Sequence, residues 1–457
     1  MNTEKVVNVF IWDLTQGLFP SDRQLIPNLN DIYELELAFY ENRILSDAEL
    51  IRNGAYFSLI GGKYTRHFLM CTGEPLKLPD HSSSRLKSFF EKNIFRTGYA
   101  THGLFPYRGK FHPQMIKGLM NVMGLKPGDT VLDPMMGSGT VLVEACLMGI
   151  KSIGIDASPF CRFMTQTKLD ALTMSLARAR GALANYEEGF AYFQKRVGRP
   201  KPGSKPSRAK TTKDAMSVME ETAEYLTKKD HQTLTEKDRD TLNTYHFLLL
   251  AYLDSACYVE RSARKAPLAQ FRAILERYLF VAEKIQKVLV GLEMELVAAE
   301  VLEGDARSLS LDDNSTDGII FSPPYSFAVD YLANDSFHLN FMGINSDTLR
   351  EGMIGLRGRN FSEKYQFYQE DMGKVLTECA RVLRPDCFCT IIVGTNNNQL
   401  GKVFGVSPDE VQGLHEILID MGAGCGFKPV KVLSRPIIGI SNTMRREYIL
   451  ILQKTSH

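Results

Sequence analysis

The chain has 457 residues, 44% of them hydrophobic and 23% charged, with 54 Lys and Arg against 53 Asp and Glu. That length can bury a sizeable core and implies two or three domains, which excludes a miniprotein held together by staples. A net charge of +1 excludes recognition of a polyanion by a global field and leaves that task to a local basic surface.

The eight cysteines, at 71, 146, 161, 257, 379, 387, 389 and 425, sit mostly in apolar segments. The tight pair Cys387 and Cys389, in "CFCTIIVG", would share one face of a strand. There is no Cys-x-x-Cys pair and no Cys/His spacing suited to zinc, so reduced core thiols and no metal are expected. No apolar run approaches the roughly 18 to 20 residues of a membrane span, and "VVNVFIW" is cut off at Asp13. A cytoplasmic chain without a membrane partner is expected.

In chain order, residues 1–90 mix strand-like pieces ("AYFSLIGGKYTRHFLM") with acidic helix-like ones ("DIYELELAFYENRILSDAELIRNG"), an accessory α+β region with no assignable role. Residues 91–168 open an α/β unit: "TVLDP" reads as a buried strand, "SGTVLVEACLMG" as a helix and "KSIGIDAS" as a second strand. Helical periodicity then runs over 169–300. The strand rhythm returns over 301–457 with "VLEGDARSL", "DGIIFSPPY", "CFCTIIVGT", "KPVKVLSRPI" and "EYILILQ". An α/β sheet interrupted by a helical insert is the expected architecture. Within the insert, residues 191–213 carry eight Lys/Arg and no acid, which fits a solvated loop and a phosphate-contacting loop equally.

"DPMMGSGT" follows a strand and opens a helix. Gly137 and Gly139 allow a sharp turn and close approach of a ligand, while the helix start offers unpaired N–H groups. The same turn also occurs as a tight packing corner. Asp156 lies 17 residues beyond Gly139, close to the spacing at which a carboxylate at a second strand end meets ribose hydroxyls; a helix cap is the plainer reading. Asp133 is placed to receive a ligand ammonium or to cap its own turn. The loop lacks Gly-Lys-Ser/Thr and the third glycine of a dinucleotide site, so a donor with an adenosine, an ammonium and no phosphate fits better.

"VLDPMMGSGT" together with "FSPPY" resembles the amino-methyltransferases, which move a methyl group from S-adenosylmethionine to an exocyclic amine of a nucleic-acid base. "FPYRGKFHPQM", "MGKVLTECARVLRPDCFCTIIVGTN" and "RREYILIL" follow the family's order, and the resemblance covers about 96–170 and 300–457. It implies a Rossmann-like methyltransferase fold, with a mostly parallel seven-stranded sheet and an antiparallel C-terminal strand. It also implies S-adenosyl-L-methionine as methyl donor. Carried over, Asp133, Gly137, Gly139 and Thr140 would shape the methionine and ribose side of the pocket, Asp156 would hold the ribose, Asp305 the adenine amine, and Phe111 with Pro113 the methionine. Asp305 in "GDA" also reads as an ordinary strand-end turn. Met135 and Met136 stand where an aromatic residue is common, and the insert separates Asp156 from Asp305 by more than usual.

Ser-Pro-Pro-Tyr is similar to the form typical of cytosine-N4 enzymes, which implies Ser322, Pro323, Pro324 and Tyr325 as the catalytic turn; adenine N6 and an RNA amine such as guanine N2 are the alternatives. An exocyclic amine is a poor nucleophile, so Ser322 Oγ and the Pro323 carbonyl would accept its hydrogens while the prolines hold both acceptors still. Tyr325 would stack on a base flipped from duplex DNA. No cysteine adjoins the turn, which argues against carbon-5 methylation. Asp330 is either a proton acceptor or the cap of the next helix. The Pro-Pro corner and a glycine corner three strands' worth of sheet away are expected to open on one cleft. Expected partners are double-stranded DNA, read by the insert as candidate target-recognition region, and a companion restriction endonuclease, with nucleoid association following. A nucleic-acid-binding subunit without catalysis is the reading from a different class.

Overall fold

The computed structural model describes residues 17–27, 29, 31–72, 98–107, 109–196, 215–226, 234–261, 266–324, 330–436 and 446–456. Near the N-terminus, β1 (Arg23–Leu25), β2 (Phe57–Ile60) and β3 (Lys63–Tyr64) form a small antiparallel sheet beside the helices Ile32–Ile44 and Asp47–Asn53. Ser46 and Glu49 close the second helix reciprocally: the Glu49 N–H donates to Ser46 Oγ and the Ser46 N–H to Glu49 Oε2. The tail of the stretch read as strand-like, "RHFLM", is helical over Arg66–Thr72. Glu41, fully buried, accepts from the Ala55 and Tyr56 N–H groups and from Asn121 Nδ2. Because Asn121 belongs to the helix Pro113–Val122, the N-terminal region is tied to the body of the protein, and Leu37 and Tyr56 share a core with Ile116, Val131 and Ile449.

The main sheet has seven strands in the order β6-β5-β4-β7-β8-β10-β9. These are β4 (Thr130–Asp133), β5 (Lys151–Asp156), β6 (Ala299–Glu303), β7 (Thr316–Phe321), β8 (Leu383–Gly394), β9 (Phe427–Pro436) and β10 (Arg446–Lys454). The first five run parallel; β10 is antiparallel to both β8 and β9. The central strands read as continuous apolar runs because both faces are covered. This is the expected Rossmann-like α/β fold with its antiparallel C-terminal strand.

One expectation is corrected. The glycine corner and the Pro-Pro corner are not three strands apart: β7 pairs directly with β4, Leu132 opposite Ile319. The chain builds outward through β5 and β6, then crosses back to the free side of β4. That reversal is the switch point at which doubly wound sheets open a crevice beyond their strand ends.

The insert comprises the helices Ala177–Ala184, Tyr186–Arg196, Ala215–Leu226, Glu236–Arg261 and Pro267–Gly291 among the described residues. It is not a detached lobe: Phe193, Leu248, Phe271 and Ile274 share a core with Phe160, Met164, Leu332 and Leu339. Tyr278 Oη accepts the Phe105 N–H at 2.8 Å and donates to Asp254, so the insert also holds the segment leading to Phe111. The basic stretch beyond Arg196 lies outside the described residues up to Asp214. Among the described residues no helix is long and apolar enough to cross a membrane.

Candidate active site

The carboxyl ends of β4, β5, β6 and β7 meet in one cleft, whose wall includes Gly137, Asp156, Asp305, Phe111, Ser322 and Pro324. The chain positions proposed for donor and acceptor thus share a cavity.

The glycine loop is built to aim its amides. Gly139, at φ 72°, caps the helix Thr140–Met148; a Cβ there would come within 2.4 Å of Thr165 Cγ2, so the position requires glycine on both conformational and steric grounds. The loop's carbonyls are consumed from behind by the helix Pro159–Asp170, where Thr165 Oγ1 donates to the Gly137 carbonyl at 3.1 Å and Lys168 Nζ to that of Ser138 at 3.1 Å. Lys168 is completely buried, and burial drives its pKa well down. The Ser138 N–H makes no hydrogen bond among the described residues and lies in the cleft wall.

Asp156 serves the same loop. Its Oδ2 accepts the Gly137 N–H and its Oδ1 the Ser158 N–H, both at 2.8 Å. Burial pushes its pKa up to about 6 against the pull of those two bonds. The Cys161 side chain bonds to Asp156 as well, and since a carboxylate has roughly four acceptor positions, about one remains for a ligand's hydroxyl.

Asp133, Gly139, Thr140, Pro113 and, of the catalytic turn, Pro323 are absent from the cleft wall. Asp133 is fully buried at the end of β4, accepts the Met135 N–H at 3.1 Å, and burial raises its pKa strongly. It holds the loop through that amide and does not line the cleft, so it is not placed to meet a ligand ammonium directly. Thr140 is the first residue of its helix, with Oγ1 3.4 Å from Ser138 Oγ, and Pro113 is buried at the first turn of Pro113–Val122. Met135 and Met136 both line the cleft.

Asp305 lies in the wall but grips Arg307, which donates to both its oxygens and bridges onward to Asp371 and the Gly352 carbonyl. Partial burial raises the Asp305 carboxyl, yet the Arg307 guanidinium holds it below the usual range. Arg357 donates to the same Asp371 at 2.6 Å, fixing this side of the cleft to the helix Phe361–Val382.

On the acceptor side Ser322 and Pro324 are half-buried and Pro323 is buried. The Ser322 hydroxyl makes no hydrogen bond among the described residues; Tyr325 lies outside them. A Cβ at Gly355 (φ 80°) would come within 3.4 Å of Pro324 Cβ. Asp330 caps the helix Tyr331–Phe341 through the Ala333 N–H and pairs with Arg350, which is the plainer of its two readings.

Several wall residues went unassigned in the sequence: Tyr107, Lys110, Cys161 and Asp335. Lys110 Nζ donates to the His102 carbonyl, and burial lowers its pKa to about 8. Cys161 Sγ lies 3.5 Å from Tyr107 Oη, and burial pushes the thiol well up, so it is not a thiolate. Tyr107 and Lys110 fall inside "FPYRGKFHPQM", so that stretch was the available signal. Among the described residues no disulfide forms and no group of His, Cys, Asp and Glu could hold a metal ion.

Residues 104–196 match a family model described as an RMKL-like methyltransferase domain. The chain is 22% identical over 290 residues to the Type II methyltransferase M.BsoBI of Geobacillus stearothermophilus, covering 55% of this chain and 54% of that protein. It is 48% identical over 68 residues to the Type II methyltransferase M.MjaII of Methanocaldococcus jannaschii, 15% of this chain and 13% of that one. A tRNA (guanine(10)-N2)-dimethyltransferase of Methanothermobacter thermautotrophicus is 42% identical over 52 residues, 11% and 16% of the two chains. The chain spans about half the length or less of these curated relatives. Fold, cleft and sequence matches together support a methyltransferase.

Proposed function

We propose that the protein transfers a methyl group from S-adenosylmethionine to the exocyclic N4 amine of a cytosine flipped out of duplex DNA. The observation that carries this reading is the single cleft shared by the glycine loop and the Ser-Pro-Pro turn.

The donor half fits an adenosine joined to a methionine. Asp156 keeps an acceptor position for a ribose hydroxyl, the Ser138 N–H is unspent, and Met135, Met136 and Phe111 supply an apolar wall. The donor brings an electrophilic methyl carried on a sulfonium. Ser322 Oγ and the Pro323 carbonyl then accept the amine hydrogens, and two consecutive rings keep those acceptors from following the substrate. Tyr325 follows directly in the chain and stacks on the extruded base. Stacking returns roughly 1 to 3 kcal/mol of an unstacking cost on the order of a few.

The Type II methyltransferase relatives favour duplex DNA as substrate; a companion endonuclease is part of the same proposal. A second reading, guanine N2 of an RNA, is favoured by the short matches to tRNA guanine-N2 enzymes. Mapping of methylated positions in plasmid DNA from cells with and without the protein tests the first. N4-methylcytosine at a defined sequence supports it, whereas N6-methyladenine, or methylation confined to RNA, replaces it.

A further inference from the structure

The carboxylates around the cleft differ in one respect. Asp156 is bound to the Gly137 and Ser158 amides, Asp305 to Arg307, and Asp330 to its helix and Arg350. Asp335 is 7% exposed, lines the cleft, and makes no hydrogen bond among the described residues; the nearest basic atom is His338 Nδ1 at 3.7 Å. That contact is long and is an ion pair only when His338 is protonated, and burying an incompletely paired carboxylate is costly and serves no packing purpose that an apolar side chain would not serve better. Positive charge that develops in the cleft during a reaction offsets that cost.

Its position indicates where that charge develops. Asp335 lies in the helix Tyr331–Phe341, which follows the Ser-Pro-Pro-Tyr segment. It shares the cleft wall with Tyr107 and Cys161 on the donor side and with Ser322, Pro324 and Leu332 on the acceptor side. Its charge reaches Asp156, Tyr107 and Cys161, raising the pKa of each beyond the effect of burial.

On the reading that this cleft joins a methyl donor to a base amine, we propose that Asp335 is the counter-charge for methyl transfer and the acceptor of the amine proton. In the step, the nitrogen lone pair forms the new N–C bond while the C–S bond breaks and leaves its electron pair on sulfur. The sulfonium becomes a neutral thioether and the amine an N-methylammonium. That nitrogen loses one proton to the Asp335 carboxylate, which passes it to water. Ser322 Oγ and the Pro323 carbonyl are neutral acceptors; they orient the amine but neither balances a full charge nor keeps a proton. Asp335 supplies both functions.

Asp335→Asn keeps the shape and removes the charge. With donor and nucleic acid saturating, single-turnover transfer should fall by about 100-fold or more while donor affinity by calorimetry stays within about threefold. Asp335→Glu should recover part of the rate, which a packing role would not permit. Asp335→Ser is run in parallel, so that poor folding of one variant does not decide the outcome. Transfer at the wild-type rate in a folded, donor-binding Asn or Ser variant overturns the proposal. So does a variant whose donor affinity falls more than about tenfold while its rate at saturation is unchanged, since Asp335 would then be a donor ligand. A wild-type protein that labels no nucleic acid instead overturns the underlying reading, and this proposal with it.

Discussion

The two sides of the cleft are rigid for opposite reasons. On the donor side, stiffness comes from hydrogen bonds: Thr165 and Lys168 take the loop carbonyls from behind, and Asp156 ties the Gly137 amide. On the acceptor side Ser322 makes no such bond, and stiffness is covalent, in the rings of Pro323 and Pro324. A donor site that presents N–H groups must have its C=O groups satisfied elsewhere. An amine site that presents oxygens gains from residues that lack an N–H altogether. Glycine plus a buried lysine solves the first problem, and consecutive prolines solve the second.

This contrast is broken most severely by Ser322→Ala, which should lower single-turnover transfer by roughly 10²- to 10³-fold with donor affinity nearly unchanged. Comparable losses in both would place Ser322 on the donor side. Gly139→Ala forces a Cβ into Thr165 at φ 72°, and should destabilise the fold by about 2 kcal/mol or more in denaturant titration and weaken donor binding. Adding Thr165→Ala should restore part of the stability. Lys168→Met leaves the buried Ser138 carbonyl unpaired, and donor affinity should drop by about tenfold, more than the transfer rate does.

A pH series sharpens the donor side. The Asp156 carboxyl titrates near 6 because burial raises it, so it is ionised above that pH and becomes protonated below it. Protonation removes acceptor capacity, so donor affinity should fall as pH drops through 6, while Asp156→Asn should bind more weakly and show no such step. The smallest effect is expected at Asp330→Ala, which removes a helix cap and a half-exposed ion pair with Arg350. Stability should fall by about 1 kcal/mol with the methyl-transfer rate retained.

Local backbone signatures made the donor loop and the Pro-Pro turn readable. Glycines at positive φ between a strand and a helix, and prolines ending an apolar strand, constrain the chain whatever lies around them. Asp156 was readable because its spacing follows from one strand–helix–strand unit. The adjacency of β4 and β7 was not, because it depends on how the chain reverses across the sheet. Nor was the difference between Asp330 and Asp335. They stand five residues apart, but one caps the helix and the other faces the cleft, and helix phase is set by packing of Leu332 and Leu339 into the insert core. Asp133 and Thr140 carry the right chemistry for a ligand, yet both are buried and neither lines the cleft.

The central claim is that one cleft brings a sulfonium methyl to a base amine. Incubating the protein with isotope-labelled S-adenosylmethionine and duplex DNA, then analysing the nucleosides by mass spectrometry, tests it most directly. The account predicts label in N4-methylcytosine, lost in Ser322→Ala. Label in no nucleoside of DNA or RNA, from a protein that binds the donor, would contradict it.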